Sequence, residues 1–162
     1  MPDTNPRVSL RGLLRRDCIQ LHEPSKDKKE LIQRMVNRLA EVGVVEDIAA
    51  VTNALLERER VMSTGIGGGV AVPHAQSPHV QELAVALSRP LEPIPFESLD
   101  ERPVGLIFMI VGPEERGGFI RILARISRLL YSGELQARLL AARNSEEVIA
   151  AVGEEEERLK GC

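Results

Sequence analysis

The stretch Gly105-Leu106-Ile107-Phe108-Met109-Ile110-Val111 limits what this chain can fold into more than any other. A strand with one wet face alternates apolar and polar residues, whereas an unbroken apolar run predicts a strand covered on both faces, central in a sheet between helical layers. The helices are legible in the same way. Leu31, Ile32, Met35, Val36 and Leu39 recur at helical spacing after Ser25, read as the N-cap, and stop at Gly43. A second helix runs from about Glu46 to Arg60 with Ile48, Val51 and Leu55 on one face, and a third from Phe119 to Ser132 carries Ile122, Leu123, Ile126, Leu129 and Leu130 up to Gly133. Shorter helices follow from Glu134 and from Ser145. Leu83 to Ser88 alternates like a strand, and Pro90, Pro93, Pro95 and Pro103 mark a loop-rich connection.

At 162 residues the chain is long enough to bury one core, and with aromatics at 2% that core must be aliphatic. The expected fold is a single α/β domain, a small mixed sheet flanked by helices on both faces. Residues 1–7 read as a variable N-terminus, 8–152 as the domain and 153–162 as a charged, frayed tail in which Glu154 to Glu157 are solvated.

One segment carries chemistry. Thr64-Gly65-Ile66-Gly67-Gly68-Gly69-Val70-Ala71-Val72-Pro73-His74 delivers an imidazole to the end of a short apolar strand through a proline, so His74 is expected in a constrained loop. The glycines permit positive φ and a close approach of backbone amides to an anion. A P-loop is excluded because Val70-Ala71 follows Gly69 where Lys-Ser/Thr is needed, and a dinucleotide fingerprint fails because Pro73 stands where a helix would begin. At neutral pH much of an ordinary histidine is uncharged, with a nitrogen lone pair able to attack phosphorus.

Other functions are excluded by composition and context. Net charge is −3 with acids and bases interleaved, which leaves no nucleic-acid stripe and no membrane patch. Leu106 to Val111 is far too short to span a bilayer and Met1 to Arg15 lacks a signal core, so a cytoplasmic location without membrane insertion is expected. Cys18 and Cys162 read as free thiols. His22, His74 and His79 do not have the spacing of a metal site, and Ser63 has no nucleophile-elbow context. No metal and no organic cofactor is expected.

Glu57-Arg58-Glu59, Ser63-Thr64-Gly65-Ile66-Gly67 and Gly69-Val70-Ala71-Val72-Pro73-His74 together resemble the signature of the mannitol/fructose/nitrogen-regulatory EIIA family of the bacterial phosphotransferase system. The likeness continues through Pro93-Ile94-Pro95-Phe96, Asp100 to Val104, Leu106 to Val111, Pro113-Glu114-Glu115 and Leu123 to Leu130. It implies a phosphocarrier without independent turnover, in which His74 accepts a phosphoryl group from HPr or a nitrogen-branch counterpart. Arg58 lies beside that group, and Ser63, Thr64, Gly65, Gly67 and Gly69 are phosphate-loop candidates. An arginine fork suits the equatorial oxygens of a loose phosphoryl-transfer transition state.

The sequence departs from the family pattern twice. Many relatives carry a second histidine where this chain has Phe119, which cannot hydrogen-bond phosphate, and Ala75-Gln76 replaces the usual glycine and basic residue. Three functions follow as expectations. The first is a regulatory phosphoprotein, favoured by the single-domain format and by Phe119. The second is a sugar-specific EIIA passing phosphate to a separate EIIB. The third is a binding module in which phosphorylation is vestigial.

Overall fold

The structure, a computed structural model, describes residues 9–114 and 118–160. The expected variable N-terminus at 1–7, Glu115 of the Pro113-Glu114-Glu115 motif and Cys162 lie outside the described residues. Strands β1 (Leu14–Glu23), β2 (Gly65–Gly67), β3 (Val70–Ala71), β4 (His74–Gln76), β5 (Ala84–Pro90) and β6 (Leu106–Gly112) form one sheet in the order β1-β5-β6-β3-β2, with β4 also paired to β6. Strand β6 is central, as its composition requires, and all seven of its residues are buried. It runs antiparallel to β5 and parallel to β3 and β4, while β1 joins β5 in parallel and β2 joins β3 antiparallel.

Two helical layers cover this mixed sheet. Helices α1 (Leu10–Leu13), α4 (Gly118–Leu129), α5 (Glu134–Ala141) and α6 (Ser145–Lys160) contribute to the core on one face, and α2 (Lys28–Glu41) and α3 (Ile48–Val61) to that on the other. The alternation of β6 divides its side chains between them: Leu106, Phe108 and Ile110 pack toward α4, and Ile107, Met109 and Val111 toward α2 and α3. This is the α/β architecture expected from the continuous apolar run.

Local details differ from the sequence reading for identifiable reasons. Helix α2 is capped by Asp27, whose side chain accepts from the Glu30 amide at 2.8 Å, while Ser25 donates its hydroxyl to the buried Glu23 at 2.5 Å. In α3 the buried stripe is Val51, Thr52, Leu55 and Glu59, and Ile48 is 44% exposed. Strand β5 is buried on both faces because the two helical layers cover it, Val85 and Leu87 packing on one side and Ala84 and Ala86 on the other. The ten-residue β1 escaped detection because register shifts against β5 break its two-residue period.

The expected frayed tail is wrong over its described part, since α6 continues to Lys160. Two carboxylates in the acidic run are structural. Glu155 is paired with Arg158 at 2.5 Å. Glu156, only 4% exposed, accepts the Leu10 amide at 2.9 Å and the Arg11 amide at 2.8 Å, with Arg125 at 3.3 Å. A carboxylate on the otherwise unpaired amides of a helix start satisfies both hydrogen bonding and the local dipole. Gly153 lets Arg11 lie against α6, because a Cβ there would stand 2.9 Å from Arg11 Cδ. The buried carboxylate therefore joins the first and last helices. Replacing Glu156 by Ala is expected to lower unfolding stability by about 2 to 3 kcal/mol and to remove exchange protection from the Leu10 and Arg11 amides, measured by urea denaturation and hydrogen exchange; unchanged values in both would overturn this role.

Candidate functional site

Strands β3 and β4 are one strand interrupted by Pro73. Val70 and Ala71 pair with Leu106 and Ile107, and His74, Ala75 and Gln76 pair with Ile110, Val111 and Gly112, so the register on β6 is unbroken across the proline. Pro73 lacks an N–H to donate, yet its carbonyl accepts the Ile110 amide at 2.9 Å. His74 thus lies in a strand rather than in the expected loop, because proline removes one donor from the ladder while its φ remains compatible with extended backbone. Val70 and Val72 face the α4 layer, whereas Ala71 and Ala75 face α2 and α3. By the same alternation His74 points toward α4.

The imidazole is held at two points. Its Nδ1 lies 2.7 Å from the Val72 carbonyl oxygen, and since a carbonyl can only accept, Nδ1 carries the proton and Nε2 the lone pair. The Phe119 ring lies 5.8 Å away, centroid to centroid, with the planes tilted by 56°. Burial is the main cause that holds the His74 pKa below the ordinary histidine value, and the Arg58 charge acts in the same sense. The Val72 carbonyl and Glu59 oppose them. Neutral imidazole therefore persists to lower pH than in a free histidine.

Arg58 reaches this histidine from the opposite layer, around the sheet edge. Ala54, Arg58, His74, Ala75, Gln76 and Phe119 line an open cleft of about 320 Å³, which brings together the expected acceptor, the expected phosphate partner and both departures from the family pattern. Arg58 Nη1 donates to the Met62 carbonyl at 2.8 Å, which satisfies the end of α3 while keeping the guanidinium at the cleft.

The glycine segment does a different job from the one expected. Gly65 opposes Ala71 and Gly67 opposes Val70, so Gly67, Gly68 and Gly69, all with positive φ, turn the β2–β3 hairpin at the end remote from His74. The Gly68 amide is engaged by Asp100 at 2.9 Å, and Gly67 lines a separate cleft with Ser127, Tyr131 and Gln136. Gly67 and Gly69 do not line the His74 cleft, and their positive φ serves the tight turn of the hairpin. Gly65 is required by a close approach: a Cβ there would collide with Ser98 Oγ and stand 2.9 Å from Ser98 Cβ. Ser63 donates to the Phe96 carbonyl at 2.5 Å and accepts the Gly65 amide at 3.1 Å. The Thr64 carbonyl accepts the Val72 amide at 2.9 Å, so Thr64 braces the strand that carries His74.

Sequence reasoning missed Glu59. It is 7% exposed, accepts the Thr64 amide through both carboxylate oxygens at 3.1 Å and pairs with Lys28 at 3.2 Å. Its signal was positional: Val51, Leu55 and Glu59 stand four apart on the inward stripe of α3, where a carboxylate must have partners. Among the described residues no group of three or more His, Cys, Asp or Glu converges to hold a metal, and no helix is long and apolar enough to cross a membrane. Cys18 is buried, and its desolvated thiol is pushed up to about 11.

The α/β fold agrees with comparison to known proteins. Residues 12–154 match the family described as phosphoenolpyruvate-dependent sugar phosphotransferase system, EIIA 2, and the chain belongs to that family. It is 36% identical over 148 residues to the fructose-specific EIIABC component of Bacillus subtilis, a match covering 91% of this chain and 23% of that protein. The chain thus spans about a quarter of that relative's length. It is 35% identical over 133 residues to the fructose-specific EIIA component of Haloferax volcanii, covering 82% of this chain and 86% of that one. Among solved structures, the nitrogen regulatory protein IIA-Ntr of Neisseria meningitidis superposes with a TM-score of 0.81 at 30% identity, covering 88% of this chain and 97% of that chain.

The close packing at Gly65 generates a stability test independent of function. Gly65→Ala is expected to cost about 1 to 3 kcal/mol from overpacking, and Ser98→Gly in the same chain should recover most of it. Urea unfolding of the two single variants and the double variant checks this, and additive losses would overturn the contact.

Proposed function

We propose that this EIIA-type protein is a phosphohistidine carrier that accepts a phosphoryl group on His74 Nε2 from an HPr-type protein, and that its principal output is regulatory. The observation that supports this best is the hydrogen bond from Nδ1–H to the Val72 carbonyl, which leaves Nε2 as the nitrogen with a lone pair in the cleft shared with Arg58. That lone pair attacks phosphorus in the donor's phosphohistidine. As the new N–P bond forms, the donor's N–P bond breaks and its electron pair returns to the donor imidazole, so no water or further reactant is consumed. The Val72 carbonyl, at 2.7 Å from Nδ1, stabilises the positive charge that the His74 ring acquires. Arg58 offers a planar cationic fork to the equatorial oxygens. The histidine's lowered pKa keeps the nucleophile available below the pH at which a free histidine would protonate.

The phosphoryl group adds about two negative charges to a half-buried cleft, which is enough to alter a complementary protein surface. The regulatory output is favoured by the likeness to IIA-Ntr and by the lining of the cleft, where Phe119 provides no donor to hand the group onward. A second reading, a fructose- or mannitol-type EIIA passing phosphate to a separate EIIB, draws on the two fructose-specific relatives. The solved complex of mannitol EIIA with phosphorylated EIIB from Escherichia coli concerns a protein of the same fold.

Incubation with phosphoenolpyruvate, the general phosphotransferase enzyme and an HPr-type carrier, followed by intact-mass and phosphopeptide analysis that spares acid-labile phosphate, tests the carrier. One phosphate on the His74 peptide is expected, and phosphate retained in His74→Ala would overturn the assignment. Efficient onward transfer to an added EIIB domain would favour the sugar-specific reading. Arg58→Ala is expected to raise the barrier to phosphate uptake by roughly 2 to 4 kcal/mol, read as a single-turnover rate. An unchanged rate would return Arg58 to a capping role at the end of α3.

A further inference from the structure

Of the three phenylalanines, Phe96 and Phe108 are fully enclosed in the two cores, whereas Phe119 closes a core and lines the His74 cleft at once. It is 8% exposed, sits in the first turn of α4 and packs in the cluster that contains Val70, Val72 and Ile110, the residues flanking His74 in the sheet. The ring lies over Gly112, the last residue of β6, close enough that a Cβ there would be in van der Waals contact with Phe119 Cδ2 at 3.6 Å. The same ring lies 5.8 Å from the imidazole. A side chain with only two rotatable bonds, packed in the core and lying between Gly112 and His74, is a stiff wall rather than an adaptable filler.

We propose that Phe119 is the positioning residue for the His74 imidazole: its ring closes the α4 side, so that with Nδ1 tied to Val72 the imidazole is held in one orientation and Nε2 meets only the open mouth beside Arg58. This rests on the reading of His74 as the phosphoryl acceptor. The wall also withholds water from the imidazole, and desolvation is the leading cause of the lowered His74 pKa. The other groups acting on it are Arg58, which lowers it, and Glu59 and the Val72 carbonyl, which raise it. The cleft's contribution from α4 is the uncharged phenyl, and β4 adds Ala75 and the neutral Gln76. Removing the ring while keeping Arg58, Glu59 and Val72 therefore changes solvation and orientation without changing the local charges.

The test compares wild type, Phe119→Leu, which keeps apolar volume, and Phe119→Ala by imidazole NMR titration and by the pH profile of single-turnover phosphate uptake. The His74 midpoint is expected to rise toward the ordinary histidine value of about 6.5, further in Phe119→Ala than in Phe119→Leu. The acid limb of the uptake profile should move with it, and the plateau rate above that limb should fall by about tenfold or more as the ring loses its fixed orientation. A His74 midpoint and plateau rate unchanged in folded Phe119→Leu would overturn the proposal. A displacement shared by His22 and His79 would overturn it too, since it would report general loosening. Should wild type carry no phosphate on the His74 peptide, the carrier reading fails by itself, and the NMR arm still decides whether Phe119 governs the protonation and orientation of His74.

Discussion

The parallel pairing of the β3–β4 strand to β6, kept in one register across Pro73, is the constraint on which the site depends. It fixes the direction of His74 by alternation from Val70 and Val72, and it brings the Val72 carbonyl to Nδ1. Without that register the imidazole would turn to the layer of α2 and α3, since a one-residue slip exchanges the faces of a strand. The buried β6, anchored on both faces by aliphatic side chains, supplies the rigidity that a lone three-residue strand lacks. The apolar core and the polar site are thus consequences of the same ladder.

Around that ladder, the buried carboxylates Glu23 and Glu59 each have partners. Glu59 holds Thr64 and Lys28, and Thr64 in turn accepts the Val72 amide. A chain of contacts thereby runs from the end of α3, which bears Arg58, to the strand that bears His74. The arginine comes from α3 and the histidine from the sheet, pointing toward the opposite layer, and their relative position is set by this bracing around the sheet edge. Phosphoryl transfer, which asks chiefly for placement and charge, is well served by such a frame.

Much of this was legible in the sequence because it is written in long-range periodicity and in a distinctive motif. The continuous apolar run of β6 announced a doubly covered strand, and the amphipathic stripes of α2 and α4 announced its covers. Single positions were harder. Asp27 rather than Ser25 caps α2 because Ser25 is engaged by Glu23, a contact that no local pattern reveals. The acidic end of α6 reads as solvent-facing, yet Glu156 is buried by two amides at the other end of the chain. The glycines next to His74 in sequence read as an anion-binding segment because positive φ and accessible amides serve a tight turn equally well. A hairpin carries Gly67 and Gly69 away from the imidazole, whereas Phe119, far along the chain, is the residue that meets it.

The two rims of the sheet are guarded differently, and this bears on how another protein can engage the molecule. At one side β1 is long but irregular in register, and Arg38 Nε donates to the Asp17 carbonyl at 2.6 Å, occupying an acceptor that an incoming strand would need. At the other, β2 and β4 are each three residues long, and β4 pairs with β6 alone and follows directly on a proline. Neither rim offers the row of free amides and carbonyls on which strand addition and cross-β stacking propagate. On the proposed carrier reading, a partner arriving at His74 docks side chain against side chain, an encounter that can dissolve as quickly as a relay of phosphate demands.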